Sequence, residues 1–128
     1  METYNLLLKN LLSKDLTKIK TENLSQSLKK EFEIAAEGYI KIGNYKDAIG
    51  TFAITKNEDK LIMLGRICLN ENRVYEAFQA FYYANDKKNL NEVGESFLKM
   101  PDIKLALEAF RKSENHEMVK FIETNLIN

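Results

Sequence analysis

Residue pairs that could do chemistry are rare in this sequence. Glu33 and Glu37 lie one helical turn apart, a spacing at which two carboxylates could act as general acid and general base. The chain has 19 acidic and 19 basic residues, however, and a solvated helix face explains the pair better. The one histidine, His116, would need partners to serve as a base or a metal ligand, and a lone histidine is more often a surface residue. Because the sequence also lacks a phosphate-binding glycine loop and a nucleophile motif, we expect no enzyme activity, cofactor or metal.

The single cysteine, Cys68, could supply a thiolate, but its apolar helical surroundings predict a buried and unreactive thiol. One cysteine cannot form an intramolecular disulfide, so nothing indicates an oxidising compartment. The N-terminal residues lack the basic start and apolar core of a signal peptide. No apolar run approaches the roughly 20 residues that span a bilayer. We therefore expect a cytoplasmic protein that does not insert into membranes.

The composition favours long helices with a balanced surface charge. One proline and five glycines leave few interruptions, and apolar residues recur at three- and four-residue spacing, which predicts an all-α fold. Equal numbers of acidic and basic residues argue against a general affinity for nucleic acid or anionic membrane. A nucleic-acid role remains a remote alternative, since the lysines that would carry it alternate with acids: Lys9, Lys14, Lys18, Lys20, Lys29 and Lys30.

An internal repeat organises most of the chain. Three alanine-led dipeptides are spaced 29 residues apart: Ala48-Ile49, Ala77-Phe78 and Ala106-Leu107. An aromatic residue follows each alanine by four positions: Phe52, Phe81 and Phe110. The preceding segment repeats in the same phase: Phe32, Ala36 and Tyr39; Leu61, Gly65 and Cys68; Leu90, Gly94 and Phe97. Asn57, Asp86 and Asn115 share this phase and are predicted to cap the helix that begins next.

Each repeat is predicted to be a hairpin of two antiparallel helices, A and then B. The small residues let the two helices approach closely, and the aromatic residues fill the space between hairpins. One hairpin cannot bury its apolar faces alone, so neighbouring hairpins are expected to stack, giving about eight to nine helices in all. We expect a single helical-repeat domain over 1–128, with hairpins at 29–57, 58–86 and 87–115 and a half-repeat helix at 116–128.

Residues 1–28 fit the period poorly and are predicted to form a degenerate hairpin that caps the stack. Four leucines mark its first helix: Leu6, Leu7, Leu11 and Leu12. Leu16 and Ile19 indicate a second helix, capped by Ser13 or Asp15. In the third repeat, Pro101 is expected just inside the start of helix B, where its missing N–H does no harm.

The pattern resembles the tetratricopeptide repeat, whose signature is Trp-x2-Leu-Gly-x2-Tyr, then Ala-x3-Phe, then Pro. The second copy reads Leu61-x2-Leu64-Gly65-x2-Cys68, followed by Ala77-x3-Phe81. The period of 29 is shorter than the family's value of about 34, and the closing proline is missing. The short turn is similar to the helical hairpins of clathrin-type, coat-protein and intraflagellar-transport solenoids. The resemblance implies a right-handed α–α superhelix, or solenoid, whose A helices line a groove that binds a protein segment.

The groove expected from this resemblance has nine candidate positions on the A helices: Glu33, Glu37, Ile40, Ile62, Arg66, Leu69, Asn91, Glu95 and Leu98. Three of them, Ile40, Leu69 and Leu98, form an apolar row at the repeat spacing that could anchor a partner segment. The alternative is that the row completes packing between adjacent A helices. The acidic candidates would repel a C-terminal carboxylate, which disfavours a role as a chaperone-tail adaptor.

Two further surfaces are candidates for contact with a partner. Tyr75 and Tyr82 occupy helix B positions where the sister repeats have lysine, alanine or arginine, so they are either an exposed patch or a half-buried pair. In the last helix, Val119, Ile122 and Leu126 match the core stripe and are expected to dock onto the third hairpin. Met118 and Phe121 point elsewhere and are predicted to self-associate or to bind a partner, unless Phe121 packs against Ile127 or the preceding helix.

The sequence thus predicts a non-catalytic protein-protein interaction module, an adaptor or scaffold. One alternative is a fragment or subunit of a larger coat- or transport-type solenoid complex. Another is a helical regulatory subunit of an enzyme.

Overall fold

The computed structural model describes residues 2–20 and 22–127, with side chains from residue 5 onward. Within these ranges all regular secondary structure is helical, which confirms the predicted all-α class. The chain forms two compact units, Met1–Leu61 and Ile62–Asn128. The described elements are α1 (Glu2–Leu12), a 3-10 turn (Leu16–Lys18), α2 (Gln26–Lys41), α3 (Tyr45–Thr55), α4 (Glu58–Asn70), α5 (Val74–Ala84), α6 (Lys87–Lys99), α7 (Ile103–Lys112) and α8 (His116–Asn125).

From α3 onward, helix starts recur every 29 residues within the A and B series, and an asparagine or aspartate side chain caps each of them except α5, where Arg73 makes no side-chain cap bond. We call α2, α4, α6 and α8 the A helices and α3, α5 and α7 the B helices. Asn57, Asp86 and Asn115 each accept a hydrogen bond of 3.2 Å from the backbone N–H three residues later, as predicted. Asn44 and Asp102 cap α3 and α7 in the same way, also at 3.2 Å.

Helix ends follow the same period through residues in the left-handed region. Lys56, Asn85 and Glu114, which end the B helices, have φ values of 57°, 56° and 61°. Between A and B, Gly43 and Asn72 have φ values of 77° and 62°. The third repeat differs because proline cannot adopt positive φ.

The position predicted for Pro101 is wrong. Pro101 lies in the turn before α7, and Asp102 is the N-cap, so the helix itself begins at Ile103. The Asp102 side chain satisfies the N–H of Leu105, and this cap sets the helix start after the proline.

The first unit has an N-terminal cap that covers one side of its hairpin. Here α1 and the 3-10 turn contact α3, and α1 also contacts α2. A Cβ on Gly50 of α3 would lie 2.7 Å from Leu12 Cδ2, so a methyl group there would require the Leu12 side chain to move. Leu8, Phe32 and Ile54 form the buried centre of this unit.

The second helix predicted for residues 1–28 is wrong, because the described residues between α1 and α2 form only one 3-10 turn. Asp15, one of the two predicted caps, accepts hydrogen bonds from the Thr17 N–H at 3.0 Å and from its hydroxyl at 2.7 Å. These bonds hold the backbone in a tight turn of three residues, which is too short for an α-helix.

The second unit is held together by aromatic rings that lie directly on A-helix glycines. Phe81 and Phe110 are buried in its core. A Cβ added to Gly65 would lie 2.5 Å from the Phe81 ring, and one added to Gly94 would lie 2.7 Å from the Phe110 ring. Helix A and helix B therefore meet at a ring-on-backbone contact that has no room for a methyl group.

We predict opposite stability changes for two Gly→Ala substitutions in A helices. Gly94→Ala forces the buried Phe110 ring to move, and overpacking of about 1–3 kcal/mol outweighs the helix-propensity gain of about 1 kcal/mol. Gly38→Ala is the matched control, because a Cβ there meets nothing within 4 Å, and it should stabilise by about 0.5–1 kcal/mol. Urea unfolding measures both changes; equal stabilisation by the two variants would contradict the contact.

Candidate functional site

The groove candidates of the first unit make polar contacts with the start of α4. Glu33 accepts a hydrogen bond of 3.0 Å from Asn57 Nδ2, the side chain that also caps α4. Glu37 Oε1 lies 3.3 Å from the Lys60 ammonium. Ile40 is half-buried. The two carboxylates thus join α2 to the N-cap and the first turn of α4.

Polar groove candidates of the second unit also make hydrogen bonds to neighbouring helices. Arg66 donates to Asn89 at 3.1 Å and to Glu92 at 2.9 Å. Asn91 accepts hydrogen bonds from Ser113 at 2.8 Å and from Asn115 at 3.0 Å. The apolar candidates Ile62, Leu69 and Leu98 are half-buried, and Glu95 is exposed. The polar candidates Arg66 and Asn91 therefore bond to neighbouring helices of the unit.

A different A-helix position carries exposed apolar side chains. Ile34 is 54% exposed, Met63 is 40% exposed and Phe121 is 52% exposed, although all three lie in helices. They occur at multiples of the 29-residue period, and Glu92 occupies the same position in α6. We call this position the exposed A position. Of these three residues, only Phe121 was selected from the sequence as a contact residue; Ile34 and Met63 share its phase in the repeat.

The two candidate tyrosines belong to a row of aromatic rings in the second unit. Successive ring centroids lie 5.4, 5.6, 5.7 and 6.1 Å apart along Tyr75, Phe97, Phe78, Tyr82 and Tyr83. Tyr75 is 51% exposed and donates a hydrogen bond of 3.1 Å to Asp102, which raises the pKa of its phenol. Lys112 lies 4.4 Å above the half-buried Tyr82 ring, a cation–π contact.

Fewer residues of the last helix are buried than the sequence predicted. Ile122 is buried and Val119 half-buried, but Leu126 is 43% exposed, so its expected docking is wrong. Leu126 is the C-cap of α8, at the end of the helix. Met118 is half-buried and Phe121 is exposed on the adjacent face.

An open cleft of about 730 Å³ lies in the first unit, between the beginning of α2 and the turn from α3 to α4. Charged residues of both signs dominate its lining: Lys29, Lys30, Glu33, Lys56, Glu58 and Asp59. Sequence reasoning noted Lys29 and Lys30 only as part of a lysine-rich stretch. Lys56 was missed because it is adjacent to them only in the fold.

Cysteine and histidine, the residue types that most often carry chemistry, lie in different environments in this chain. Burial raises the pKa of Cys68 to about 12, consistent with the predicted buried thiol. His116 is exposed at the start of α8. Among the residues described, no group of three or more His, Cys, Asp or Glu side chains could hold a metal ion. None of the described helices has the length and apolar character needed to cross a membrane.

Comparison with known proteins was made by family model, by sequence and by structure. No family model matches the chain, and neither curated proteins nor solved structures gave a match. The functional inference therefore rests on the contacts and exposure of this chain's own residues.

We predict that Cys68 is inert in the folded protein. With a pKa of about 12, about one thiol in 10⁴ is ionised at pH 8, and burial slows attack further. Labelling with a chromogenic disulfide reagent at pH 8 should proceed only at the rate of unfolding, and at once in denaturant. Rapid labelling of the native protein would contradict the burial of this residue.

Proposed function

We propose that the chain is a non-catalytic helical-repeat module, similar to tetratricopeptide solenoids, that binds a segment of another protein as an adaptor or scaffold. The supporting observation is the exposed A position. Ile34, Met63 and Phe121 leave apolar surface in water, although neighbouring polar positions on the same helices are used to join hairpins. Covering such side chains is favourable by about 25 cal/mol per Å² of apolar surface removed from water. A partner segment with apolar anchors would supply that cover.

The same reasoning favours a second, more local role for the last helix. Phe121 and Ile127 are both about half exposed, beside the exposed Leu126. Three neighbouring apolar residues in one short segment are the kind of patch through which proteins associate. We propose that this segment self-associates or receives a partner, with Phe121 as the main anchor.

Met63→Lys should preserve the fold and weaken partner binding. The side chain is exposed, so helicity and melting temperature should change little, while loss of an apolar anchor should lower affinity about tenfold. Affinity capture from native lysate with quantitative mass spectrometry identifies the partner and compares variants. Lys46→Ala, an exposed change on α3, is the control and should bind as the parent does. Undiminished capture by Met63→Lys would argue against the exposed A position as a binding surface.

Phe121→Glu tests the role of the last helix. If Phe121 anchors an interface, sedimentation velocity should show association of the parent that increases with concentration and is lost in the variant, because a carboxylate cannot be buried there unpaired. If Phe121 instead binds a different protein, the variant should lose that protein in the capture experiment. A strictly monomeric parent, with a variant that captures every partner equally well, would exclude both forms of the proposal.

A further inference from the structure

The first and third repeats carry different charges at one pair of corresponding positions. In the third repeat, Lys87 at the start of α6 forms an ion pair with Glu114 in the turn before α8. This contact lowers the pKa of Glu114, because the ammonium bonds to and attracts its carboxylate. The corresponding residues of the first repeat, two periods earlier, are Lys29 and Lys56. The first repeat therefore has two lysines where the third has a cation and an anion.

The local geometry shows that Lys56 and Glu114 occupy equivalent positions. Lys56 and Glu114 both adopt left-handed backbone, with φ values of 57° and 61°. The next residue in each case is a capping asparagine whose Nδ2 donates a 3.0 Å hydrogen bond back to the preceding A helix, from Asn57 to Glu33 and from Asn115 to Asn91. Because the turn, the cap and the cross-link agree, the difference in charge is confined to the side chains.

The lysines of the first repeat form no ion pair with another described residue, although Glu33, Glu58 and Asp59 also line their cleft. Among the described residues, no carboxylate lies within 4.0 Å of the Lys29, Lys30 or Lys56 ammonium groups. All three line the open cleft of about 730 Å³. Like charges beside one cleft repel each other, and an anion placed between them would relieve that repulsion. The third repeat supplies this anion itself, as Glu114.

We infer that the cleft binds an anionic side chain, carboxylate or phosphate, of a partner protein segment, held between Lys29 and Lys56. The inference deepens the proposed function, since it names the chemistry of a segment that such a module binds. The rim favours protein over nucleic acid. Glu58 and Asp59 also line the cleft, so a continuous row of phosphates would meet negative charge there. A peptide can place one acidic residue on the lysines and a basic or amide residue on the rim.

The test uses fluorescence anisotropy of labelled peptides at low salt. One probe has a central Asp-Glu pair flanked by serine and lysine, a second has phosphoserine in place of the pair, and a third has Asn-Gln. The acidic probe should bind at least about tenfold more tightly than the amide probe. Stronger binding of the phosphoserine probe would assign a phosphate ligand, and equal binding a carboxylate; both support the cleft. Equal binding of the amide probe, or preference for a single-stranded oligonucleotide, would overturn the inference.

Charge variants then locate the site. Lys56→Glu recreates the ion pair of the third repeat and should reduce affinity for the acidic probe about tenfold, with no loss of melting temperature. Lys46→Glu makes the same change of charge at an exposed α3 residue outside the cleft lining and should have a far smaller effect. Glu114→Lys should create a second site in the third repeat and raise the binding stoichiometry.

Equal affinity of Lys56→Glu and Lys46→Glu for the acidic probe would contradict the cleft as the site. That result would leave the proposed function standing if Met63→Lys still lost its captured partner. If Met63→Lys kept its captured partner and Lys56→Glu kept its affinity for the acidic probe, both proposals would be wrong.

Discussion

The turn from a B helix to the next A helix is the constraint on which the rest of the structure depends. At each such turn, a left-handed residue is followed by an asparagine or aspartate that caps the new helix: Lys56-Asn57, Asn85-Asp86 and Glu114-Asn115. The left-handed residue reverses the chain, and the cap fixes where the next helix starts. In the first and third repeats the same capping side chain also bonds to the preceding A helix. This short turn thus sets where each of these A helices starts and, in the first and third repeats, which side chains bond to the preceding A helix.

The elements governed by this periodicity could be predicted from the sequence, and local exceptions could not. Small and aromatic residues spaced 29 apart predicted the buried Ala48, Ala77 and Ala106 and their partner rings, all of which lie in the core. The N-terminal segment could not be predicted this way, because it has no second copy for comparison, and its 3-10 turn depends on local bonds to Asp15. The docking of Leu126 was predicted wrongly because residue spacing does not show where a helix ends, and Leu126 is the C-cap of α8.

The candidate site was harder to predict because position on a helix does not reveal what a side chain touches. Glu33, Arg66 and Asn91 have the sequence phase of groove residues, yet each bonds to the following hairpin. The exposed A position lies one residue after Glu33 and Asn91, and a one-residue step turns a side chain by about 100° around a helix. The charge contrast between Lys56 and Glu114 is visible in the sequence, but its meaning depends on the structure, which shows Glu114 paired with Lys87 and Lys56 facing open space.

If the 29-residue period is structural, residues 58–86 are one complete copy of the repeat. A chain in which this segment occurs twice in tandem tests the claim directly, because the junction again places Asp86 before Glu58 as a cap. Circular dichroism with thermal unfolding should show unchanged helicity per residue and a melting temperature at least as high as the parent's, since each added repeat contributes its own stability and a further interface. Lower helicity per residue, or a separate transition at lower temperature, would contradict the repeat on which the fold and the proposed function depend.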